Sequence, residues 1–383
     1  MKRYLIIGNG VAGTSAAEQI RKHDNNGDIT IISDEKYPFY YRIRLNEYIS
    51  GDIDKNALTG KKAEWYAEQK IQLITGVSVT GADPAKQYII TDSGQKYFYD
   101  FLLIATGSRS FVPPIQGVNK KGVFTLRTLN DAGRIVSFCE KIDKVVLIGG
   151  GLLGLETGNA LRKKGKQVTV VEFFPRLLPK QLDTRGAERL KKIMENMGFS
   201  FRLGATTKKI TGTNVVESVM LENEKSIPAD MVIMSAGVRP NLELGQLLGL
   251  SCNKGIIVDS ALKTSNPTIF AAGDVAEFEN VLYGIWPAAM QQGRTAGTNM
   301  AGGAMAYQGS VMANKLKVIG IDLASAGEID VENRFTSKIE ETDTVYKKIV
   351  FDNHRIIGCI MLGDTSDFNT FTRLIAEKNI EKS

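Results

Sequence analysis

Two stretches of the chain share one pattern: a short apolar run, a glycine-rich turn, a segment with helical spacing and a second apolar run. The first, residues 4–33, contains YLII, GNGVAG, TSAAEQIRKH and DITIIS in that order. The second, residues 144–172, contains KVVLI, GGGLLG, LETGNALRKKG and QVTVVE. Short β-branched runs of this kind predict buried parallel strands, and the segment after each turn predicts a helix. The pattern therefore predicts two βαβ units of similar design.

The rest of the chain predicts further strands of a doubly wound α/β fold. After a hairpin pattern, one buried strand ends at 105–107, and similar strand ends occur in ADMVIMSAGVRPN and IFAAGDVA. From about residue 308 the pattern changes to antiparallel strands and a last helix. We predict two Rossmann-like domains and a small C-terminal α+β domain. Their predicted boundaries are residues 1–108 with 236–307, residues 109–235, and residues 308–383.

Composition excludes several classes of protein. Of 383 residues 43% are hydrophobic and 23% charged, which is typical of a soluble globular protein. No apolar run reaches 18 residues, and the apolar stretch near the N-terminus is shorter than a signal-peptide core. We therefore expect a cytoplasmic protein that does not contact the membrane.

Cysteine and histidine are scarce, which limits the redox chemistry of the side chains. The three cysteines, Cys139, Cys252 and Cys359, are far apart, and only His23 and His354 represent histidine. This excludes a disulfide framework and predicts no metal site. Any redox chemistry must therefore reside in a bound cofactor.

The net charge of +6 concerns possible partners. Lysine and arginine are scattered and do not alternate with aromatic residues, so we expect no nucleic-acid binding. Two explanations remain open for the basic charge. It is either a solvated surface or a face that steers an acidic protein partner.

The first glycine turn has the spacing of a dinucleotide-binding motif, G-x-G-x-x-G between a strand and a helix. Gly8 permits the tight turn, Gly10 lets the backbone approach a pyrophosphate, and Gly13 allows close helix–strand packing. The phosphates would lie at the positive end of the helix. Asp34 follows the next strand at the expected distance and is a candidate to bind a ribose, with Glu35 as its competitor.

The second turn repeats these features with Gly149, Gly151 and Gly154. Glu172 ends the following strand, where a carboxylate bonds the ribose 2′-hydroxyl and repels a 2′-phosphate. The motif therefore favours NADH over NADPH. Arg176 would weaken this preference if it reached the same pocket, whereas a surface position would leave the preference unchanged.

Two dinucleotide sites in one chain indicate electron transfer between two redox dinucleotides, commonly nicotinamide to flavin. At these residues the sequence resembles the flavoprotein family with two dinucleotide-binding domains, which includes pyridine nucleotide–disulfide oxidoreductases and ferredoxin reductases. The segments ATG, GVRPN and AAGDVA occur in that family in the same order. The resemblance implies a glutathione-reductase type of fold, with FAD in the discontinuous domain and NADH in the middle one.

The resemblance also implies a set of binding residues. The residue matching Asp274 binds the flavin ribitol chain, the backbone N–H at Trp286 points at the flavin pyrimidine edge, and Glu156 orients the nicotinamide. Besides the glycines and acids above, the implied FAD site contains Val11, Ala12, Arg42, Val79, Ala105, Thr106, Gly107, Arg127, Gly273, Asp274, Trp286 and Lys317, and the implied NAD site contains Leu152, Leu153, Glu156 and Gly237.

The stretch YPFYYRIRLNEYISG at 37–51 indicates a branch of this family. It lacks the cysteine that disulfide reductases carry there, and its spacing P-x-Y-x-R-x-x-L is similar to NADH:rubredoxin reductases, nitrite reductase flavin portions and ferredoxin reductases of oxygenase systems. The last of these usually have a lysine where this chain has Glu47. Arg44 or Lys317 would then supply the missing charge, and the departure favours the rubredoxin reductase branch.

The resemblance implies that NADH passes hydride to FAD, which then delivers single electrons to a small acidic carrier of the rubredoxin or ferredoxin type. Alternatives are a flavin NADH oxidase, an electron-supplying component for nitrite reductase, and a non-catalytic flavin-binding NADH sensor. The sequence leaves open whether the protein is a monomer or a homodimer.

Overall fold

Helices and strands alternate along most of the chain in a computed structural model, which describes residues 1–318 and 320–377, without the side chains of 315–318. The helices are α1 (Val11–His23), α2 (Leu45–Ser50), α3 (Lys55–Leu58), α4 (Ala63–Glu68), α5 (Leu129–Cys139), α6 (Leu152–Lys163), α7 (Thr184–Asn196), α8 (Glu243–Leu247), α9 (Trp286–Met300) and α10 (Phe368–Glu377), with a 3-10 turn at Arg42–Arg44. The strands are β1 (Arg3–Ile7), β2 (Asp28–Ser33), β3 (Ile71–Thr75), β4 (Val79–Asp83), β5 (Tyr88–Thr91), β6 (Lys96–Phe98), β7 (Phe101–Ile104), β8 (Ser108–Ser110), β9 (Val123–Thr125), β10 (Lys144–Ile148), β11 (Gln167–Glu172), β12 (Ser200–Leu203), β13 (Thr207–Thr211), β14 (Ser218–Leu221), β15 (Ser226–Pro228), β16 (Met231–Met234), β17 (Val238–Pro240), β18 (Ile256–Val258), β19 (Ile269–Ala271), β20 (Ala276–Phe278), β21 (Ala313–Val318), β22 (Ile321–Gly327), β23 (Thr336–Glu341), β24 (Tyr346–Asp352) and β25 (Arg355–Leu362).

The chain divides into two compact units, each assembled from three segments. The first unit consists of Met1–Tyr41, Lys55–Arg109 and Val238–Ser310, and the second of Arg42–Asp54, Ser110–Gly237 and Val311–Ser383. The predicted domain boundaries, which follow the nucleotide that each region would hold, stay a prediction.

The first unit is built on a parallel sheet with the strand order β19-β7-β1-β2-β3. Its central strands are almost continuously apolar and buried, with Ile6, Ile31 and Leu103 all fully inaccessible. Burial of each such side chain contributes about 1.5–3 kcal/mol. A smaller antiparallel sheet, β4-β5-β6, matches the predicted hairpin region.

Helices α1 and α9 of this unit pack with their backbones in close approach. A Cβ atom at Gly293 would lie 2.2 Å from the carbonyl oxygen of Ala12, and one at Gly297 would lie 2.3 Å from that of Ala16. Residues four apart lie on one face of a helix, so two glycines face two alanines. The small residues set how closely the N-terminal half of α1 is held.

The second unit contains a matching parallel sheet, β12-β11-β10-β16-β9. Helix α5 begins with a capping box, in which Thr128 accepts from the N–H of Asp131 and the Asp131 side chain accepts from the N–H of Thr128. Strand β16 ends shortly before Gly237, whose φ of 103° suits glycine. The repeat of β10, α6 and β11 reproduces the predicted second βαβ unit.

The C-terminal part of this unit is an antiparallel sheet, β21-β22-β25-β24-β23, with α10 packed on it. Asn353 and His354 both have positive φ in the two-residue turn between β24 and β25, as tight hairpins require. The predicted fold class, two Rossmann-like domains of the glutathione-reductase type and a small α+β domain, is confirmed.

Candidate functional site

The first glycine turn joins β1 to α1 and leaves an open space in front of the helix. Gly8 has a φ of 114°, and a Cβ there would lie 2.1 Å from the carbonyl oxygen of Ala105. A Cβ at Gly13 would lie 2.0 Å from the carbonyl oxygen of Gly8. At Gly10, by contrast, no described atom comes within 4 Å of such a Cβ. Gly8 and Gly13 are thus required by packing, whereas Gly10 leaves space for a ligand.

The N-terminus of α1 faces this space. Val11 and Ala12 form its first turn, and the first four N–H groups of a helix have no acceptor within the helix. Gly10 provides no side-chain cap. Asn9 is buried and accepts a hydrogen bond from the Tyr66 hydroxyl at 3.0 Å, but its Nδ2 has no partner among the described residues. These donors suit an anionic group such as a pyrophosphate.

The two acids after β2 lie in different surroundings. Asp34 is exposed, whereas Glu35 is half-buried. The Tyr40 hydroxyl donates a hydrogen bond to Glu35 Oε2 at 2.6 Å, and the N–H of Gly76 donates to the Glu35 carbonyl at 3.1 Å. Val79, which begins β4 just beyond Gly76, is half-buried. Glu35 is therefore held in place by its neighbours, and Asp34 is open to solvent.

The carboxyl end of β7 is joined by hydrogen bonds to two other segments of the first unit. Residues 105–107 follow this strand, and Thr106 exchanges hydrogen bonds with Asn241, through Thr106 Oγ1 at 3.1 Å and Asn241 Nδ2 at 2.8 Å. Ser108 donates its hydroxyl proton to Asp274 Oδ2 at 2.7 Å. Ser108 and Asn241 were not predicted, since neither belongs to a glycine motif.

The last predicted elements of the first site are the turn before β20 and the start of α9. Gly273 has a φ of 86° and donates its N–H to Gln292 Oε1 at 2.8 Å. Trp286 is the first residue of α9, and its ring lies 6.0 Å from the rings of both Phe39 and Tyr41, measured between centroids. The backbone N–H groups at this helix start are further donors.

The second turn repeats the geometry of the first. Gly149 has a φ of 115°, and a Cβ there would lie 2.2 Å from the carbonyl oxygen of Ser235. A Cβ at Gly154 would lie 2.5 Å from the carbonyl oxygen of Gly149, while none of the described atoms lies within 4 Å of one at Gly151. Leu152 and Leu153 begin α6. Each unit therefore presents a helix N-terminus behind a glycine with open space.

Glu172 lies at the end of β11, beside this second turn, and is buried. Its Oε2 accepts from the N–H of Gly150 at 2.5 Å, and its Oε1 accepts from the N–H of Phe174 at 2.8 Å. Arg176 donates to the Pro179 carbonyl at 3.1 Å. The carboxylate is thus fixed next to the turn, while the arginine contacts its own loop.

Glu156, on α6, is contacted by a residue from a distant segment of the sequence. Asn46 of α2 donates its amide to Glu156 Oε2 at 3.3 Å, and the Thr157 hydroxyl lies 3.0 Å from Asn46 Oδ1. Burial raises the pKa of the Glu156 carboxyl, and the Asn46 hydrogen bond lowers it in part. Asn46 was not predicted, since only its neighbour Glu47 departs from a recognised pattern.

The predicted arginines also lie in the second unit. Arg42 donates to the Arg127 carbonyl at 2.7 Å. Arg44, a candidate to replace a lysine charge, forms an ion pair with Glu47 at 2.7 Å. Lys317, the other candidate, lies in β21, where its side chain is outside the described residues.

The described part of the chain offers neither a metal cluster nor a membrane-spanning helix. No group of three or more histidine, cysteine, aspartate or glutamate residues within it is placed to hold a metal ion. None of the described helices is long and apolar enough to cross a membrane.

Two dinucleotide-type turns on parallel sheets define the class of two-nucleotide oxidoreductases. The chain belongs to the pyridine nucleotide-disulphide oxidoreductase family, whose model matches residues 2–293. This family is FAD-dependent and uses NAD(P)H. Residues 313–379 match the rubredoxin NAD⁺ reductase C-terminal domain.

Curated relatives agree with this family. The chain is 36% identical over 381 residues to the nitrite reductase [NAD(P)H] of Bacillus subtilis, with 98% of this chain and 47% of that protein covered. It is 34% identical over 367 residues to the NADH-rubredoxin oxidoreductase of Clostridium acetobutylicum, with 95% and 92% covered. The chain thus spans about half the length of the nitrite reductase relative, but nearly all of the second relative.

A solved structure supports the same assignment. The crystal structure of NADH:rubredoxin oxidoreductase from Clostridium acetobutylicum superposes with a TM-score of 0.85 at 30% identity, covering 98% of this chain and 95% of that chain. The predicted family, with its rubredoxin reductase and nitrite reductase branch, is confirmed.

Proposed function

We propose that this chain is an NADH-dependent FAD oxidoreductase that passes electrons to a small acidic carrier, with rubredoxin as the first candidate. One observation carries the proposal. The same turn occurs twice, each time with a packed pair of glycines and a third glycine, Gly10 or Gly151, that leaves the helix N-terminus accessible. Two such sites in one chain suit two dinucleotides.

In this proposal FAD binds the first unit. The N-terminus of α1 and the buried Nδ2 of Asn9 supply donors for the pyrophosphate. Glu35, which Tyr40 holds in place, accepts hydrogen bonds from the ribose hydroxyls in preference to the exposed Asp34. Asp274, oriented by Ser108, takes the ribitol chain.

NADH binds the second unit, where α6 faces the pyrophosphate. The buried carboxylate of Glu172 accepts a hydrogen bond from the ribose 2′-hydroxyl and repels the 2′-phosphate of NADPH. Glu156, half-buried on α6 with the pKa of its carboxyl raised by burial, orients the nicotinamide end. Bound FAD supplies the redox chemistry, since it accepts a two-electron hydride from NADH and releases electrons singly. The side chains bind and position, and these roles need neither a nucleophile nor a general base.

Three observations support a small acidic carrier as the acceptor. The chain has a net charge of +6, which favours attraction of an acidic partner. The stretch 37–51 contains no cysteine that could relay electrons to a disulfide. The C-terminal region matches the domain model of rubredoxin NAD⁺ reductases. Rubredoxin is therefore the first carrier to test.

Anaerobic mixing of the purified FAD-loaded protein with limiting NADH and excess oxidised rubredoxin tests the proposal, with the flavin and rubredoxin absorbances followed together. We expect rapid flavin bleaching followed by catalytic loss of rubredoxin colour. Flavin that never bleaches would refute the oxidoreductase function and favour an NADH sensor. Flavin that bleaches while rubredoxin stays oxidised would refute this acceptor alone.

The same assay at increasing ionic strength tests electrostatic attraction. Salt screens charges beyond about 8 Å at physiological ionic strength, so the rate with rubredoxin should fall as salt rises. The rate of flavin reduction by NADH serves as the internal control and should change much less. A rubredoxin rate that does not depend on salt would contradict attraction by the basic surface.

The nitrite reductase relative favours a second candidate function. Its match covers 98% of this chain, and the relative itself is about twice as long as this chain. In this alternative the chain supplies electrons to a separate nitrite-reducing protein. Bleaching by NADH without rubredoxin reduction, followed by reoxidation with such a protein, would favour it.

A further inference from the structure

A short chain of polar contacts joins α2 to the Glu156 carboxyl on α6. Asn46 Nδ2 lies 3.3 Å from Glu156 Oε2, and Asn46 Oδ1 lies 3.0 Å from the hydroxyl of Thr157. Thr157 is fully buried, and Glu156 is half-buried. The side chain of Asn46 therefore bridges two successive residues of α6.

The structure places the amide oxygen of Asn46 toward Thr157 and its amide nitrogen toward Glu156. The Thr157 hydroxyl has one proton and two acceptors within reach, Asn46 Oδ1 and the Leu153 carbonyl at 2.7 Å. When the hydroxyl donates to Asn46 Oδ1, the amide oxygen faces Thr157 and the amide N–H group faces Glu156. A carboxylate at Glu156 accepts this N–H but would repel the amide oxygen.

We propose that Asn46 is a positioning residue for the nicotinamide end of bound NADH, because its amide, oriented by Thr157, holds the Glu156 carboxyl as an acceptor in one orientation. This proposal rests on the proposed function, in which Glu156 orients the nicotinamide. It adds two residues that no glycine motif contains. Asn46 acts through Glu156 and does not itself need to touch the nucleotide.

Another polar residue of α2 provides a control. The Ser50 hydroxyl donates to the Glu47 carbonyl at 2.9 Å, within the same helix. Its hydroxyl takes no part in the bridge between Asn46, Glu156 and Thr157. Ser50→Ala therefore perturbs the same short helix without removing the bridge.

The experiment compares two ligands by isothermal titration calorimetry of the FAD-loaded protein. Tetrahydro-NAD is a non-reducing analogue of NADH, and ADP-ribose contains the same adenosine, ribose and pyrophosphate but lacks the nicotinamide ring. The variants are Asn46→Ala, Thr157→Val, Thr157→Ser and the control Ser50→Ala. Comparison of the two ligands isolates the nicotinamide end.

For Asn46→Ala we expect tetrahydro-NAD to bind about 5–10-fold more weakly, as for loss of one ordinary hydrogen bond, with ADP-ribose affinity changed less than about twofold. Thr157→Val should weaken tetrahydro-NAD in the same selective way. Thr157→Ser retains the hydroxyl and should have wild-type affinity, and Ser50→Ala should resemble the wild type.

Equal losses for both ligands would overturn the proposal, since they would indicate a purely structural role for Asn46. No loss for either ligand, or a failure of Thr157→Ser to restore affinity, would overturn it as well. If Asn46→Ala does not fold, the valine and serine variants at Thr157 still distinguish a positioning role from a structural one. Failure of the proposed function is distinguishable, because NADH would then leave the wild-type flavin oxidised.

Discussion

At the scale of single residues, the glycines of one turn have different tasks, and alanine substitutions separate them. For Gly10→Ala we expect a folded protein with reduced FAD content. No described atom obstructs the new Cβ, but the Cβ would fill the space proposed for the pyrophosphate. For Gly13→Ala we expect a loss of stability of about 1–3 kcal/mol, because the Cβ would overlap the carbonyl of Gly8. Bound flavin and the free energy of unfolding, measured on both variants, check these expectations.

Full retention of FAD by the Gly10→Ala variant would contradict this division of tasks. The open space at this turn would then not receive the pyrophosphate. The corresponding Gly151→Ala change should retain FAD and weaken NADH alone, which assigns the two nucleotides to their turns.

Glu172 should control the choice between NADH and NADPH. Glu172→Gln removes the negative charge that would repel a 2′-phosphate, while its shape is preserved. We expect the ratio of kcat/KM for NADH to that for NADPH to fall by at least about tenfold, or ~1.4 kcal/mol. Glu195→Gln, an exposed partner of Lys191 on α7, is the control. An unchanged ratio would show that another residue, such as Arg176, sets the preference.

Residues within a motif could be predicted from the sequence, whereas their supporting partners could not. The spacing of Gly8, Gly10 and Gly13 reflects local backbone geometry, which a sequence displays directly. Asn46 and Ser108 contact their partners across more than a hundred residues of chain, at Glu156 and Asp274. Single side-chain contacts of this range leave no periodic pattern, so the sequence alone does not predict them.

At the scale of elements, the contact between α1 and α9 depends on small residues. Gly297→Ala should destabilise the protein by about 1–3 kcal/mol, because its Cβ would meet the Ala16 backbone at 2.3 Å. Gly133 lies in α5, and no described atom lies within 4 Å of a Cβ added there. Gly133→Ala should therefore stabilise the protein by about 0.5–1 kcal/mol. Denaturant unfolding of both variants tests this difference in sign.

The sequence predicted the start of some helices better than the packing face of others. Helices α1 and α6 follow a strand and a glycine turn, so their start was evident. Helix α9 packs on α1 through a face that includes Gly293 and Gly297. These positions carry no large apolar side chains, so hydrophobic periodicity does not reveal the face.

At the scale of the whole molecule, one buried cluster connects the C-terminal sheet to α7 within the second unit. Asp183 caps α7 through the N–H of Gly186 at 2.9 Å and accepts from the Tyr346 hydroxyl at 2.6 Å. Lys348, 1% exposed, lies 3.4 Å from the same carboxylate. The adjacent Lys347 is also largely buried, but it pairs with two exposed acids, Asp364 and Asp367. Lys348 thus has a buried carboxylate partner, whereas Lys347 has two exposed ones.

Substitution of Asp183, the partner of Lys348, and of Asp364, a partner of Lys347, should reveal this difference. Asp183→Ala is expected to cost about 3–5 kcal/mol, because it leaves a buried ammonium without its carboxylate and removes a helix cap. Asp364→Ala should cost less than Asp183→Ala, because Lys347 keeps its second partner Asp367 at 3.3 Å and Asp364 itself is partly exposed to solvent. Similar losses in thermal or denaturant unfolding would show that the buried cluster does not anchor the C-terminal sheet.

The division of each unit into three segments has a consequence for synthesis on the ribosome. Residues 42–54 are synthesised early, but the other segments of their unit begin at Ser110 and Val311. The first unit is complete only after Val238–Ser310 has been synthesised. Domains generally fold as units during synthesis from the N-terminus. Here neither unit has all its segments until most of the chain has been made. A nascent chain halted near residue 237 would contain two incomplete hydrophobic cores. Chaperones would then have to bind the exposed apolar surface of both.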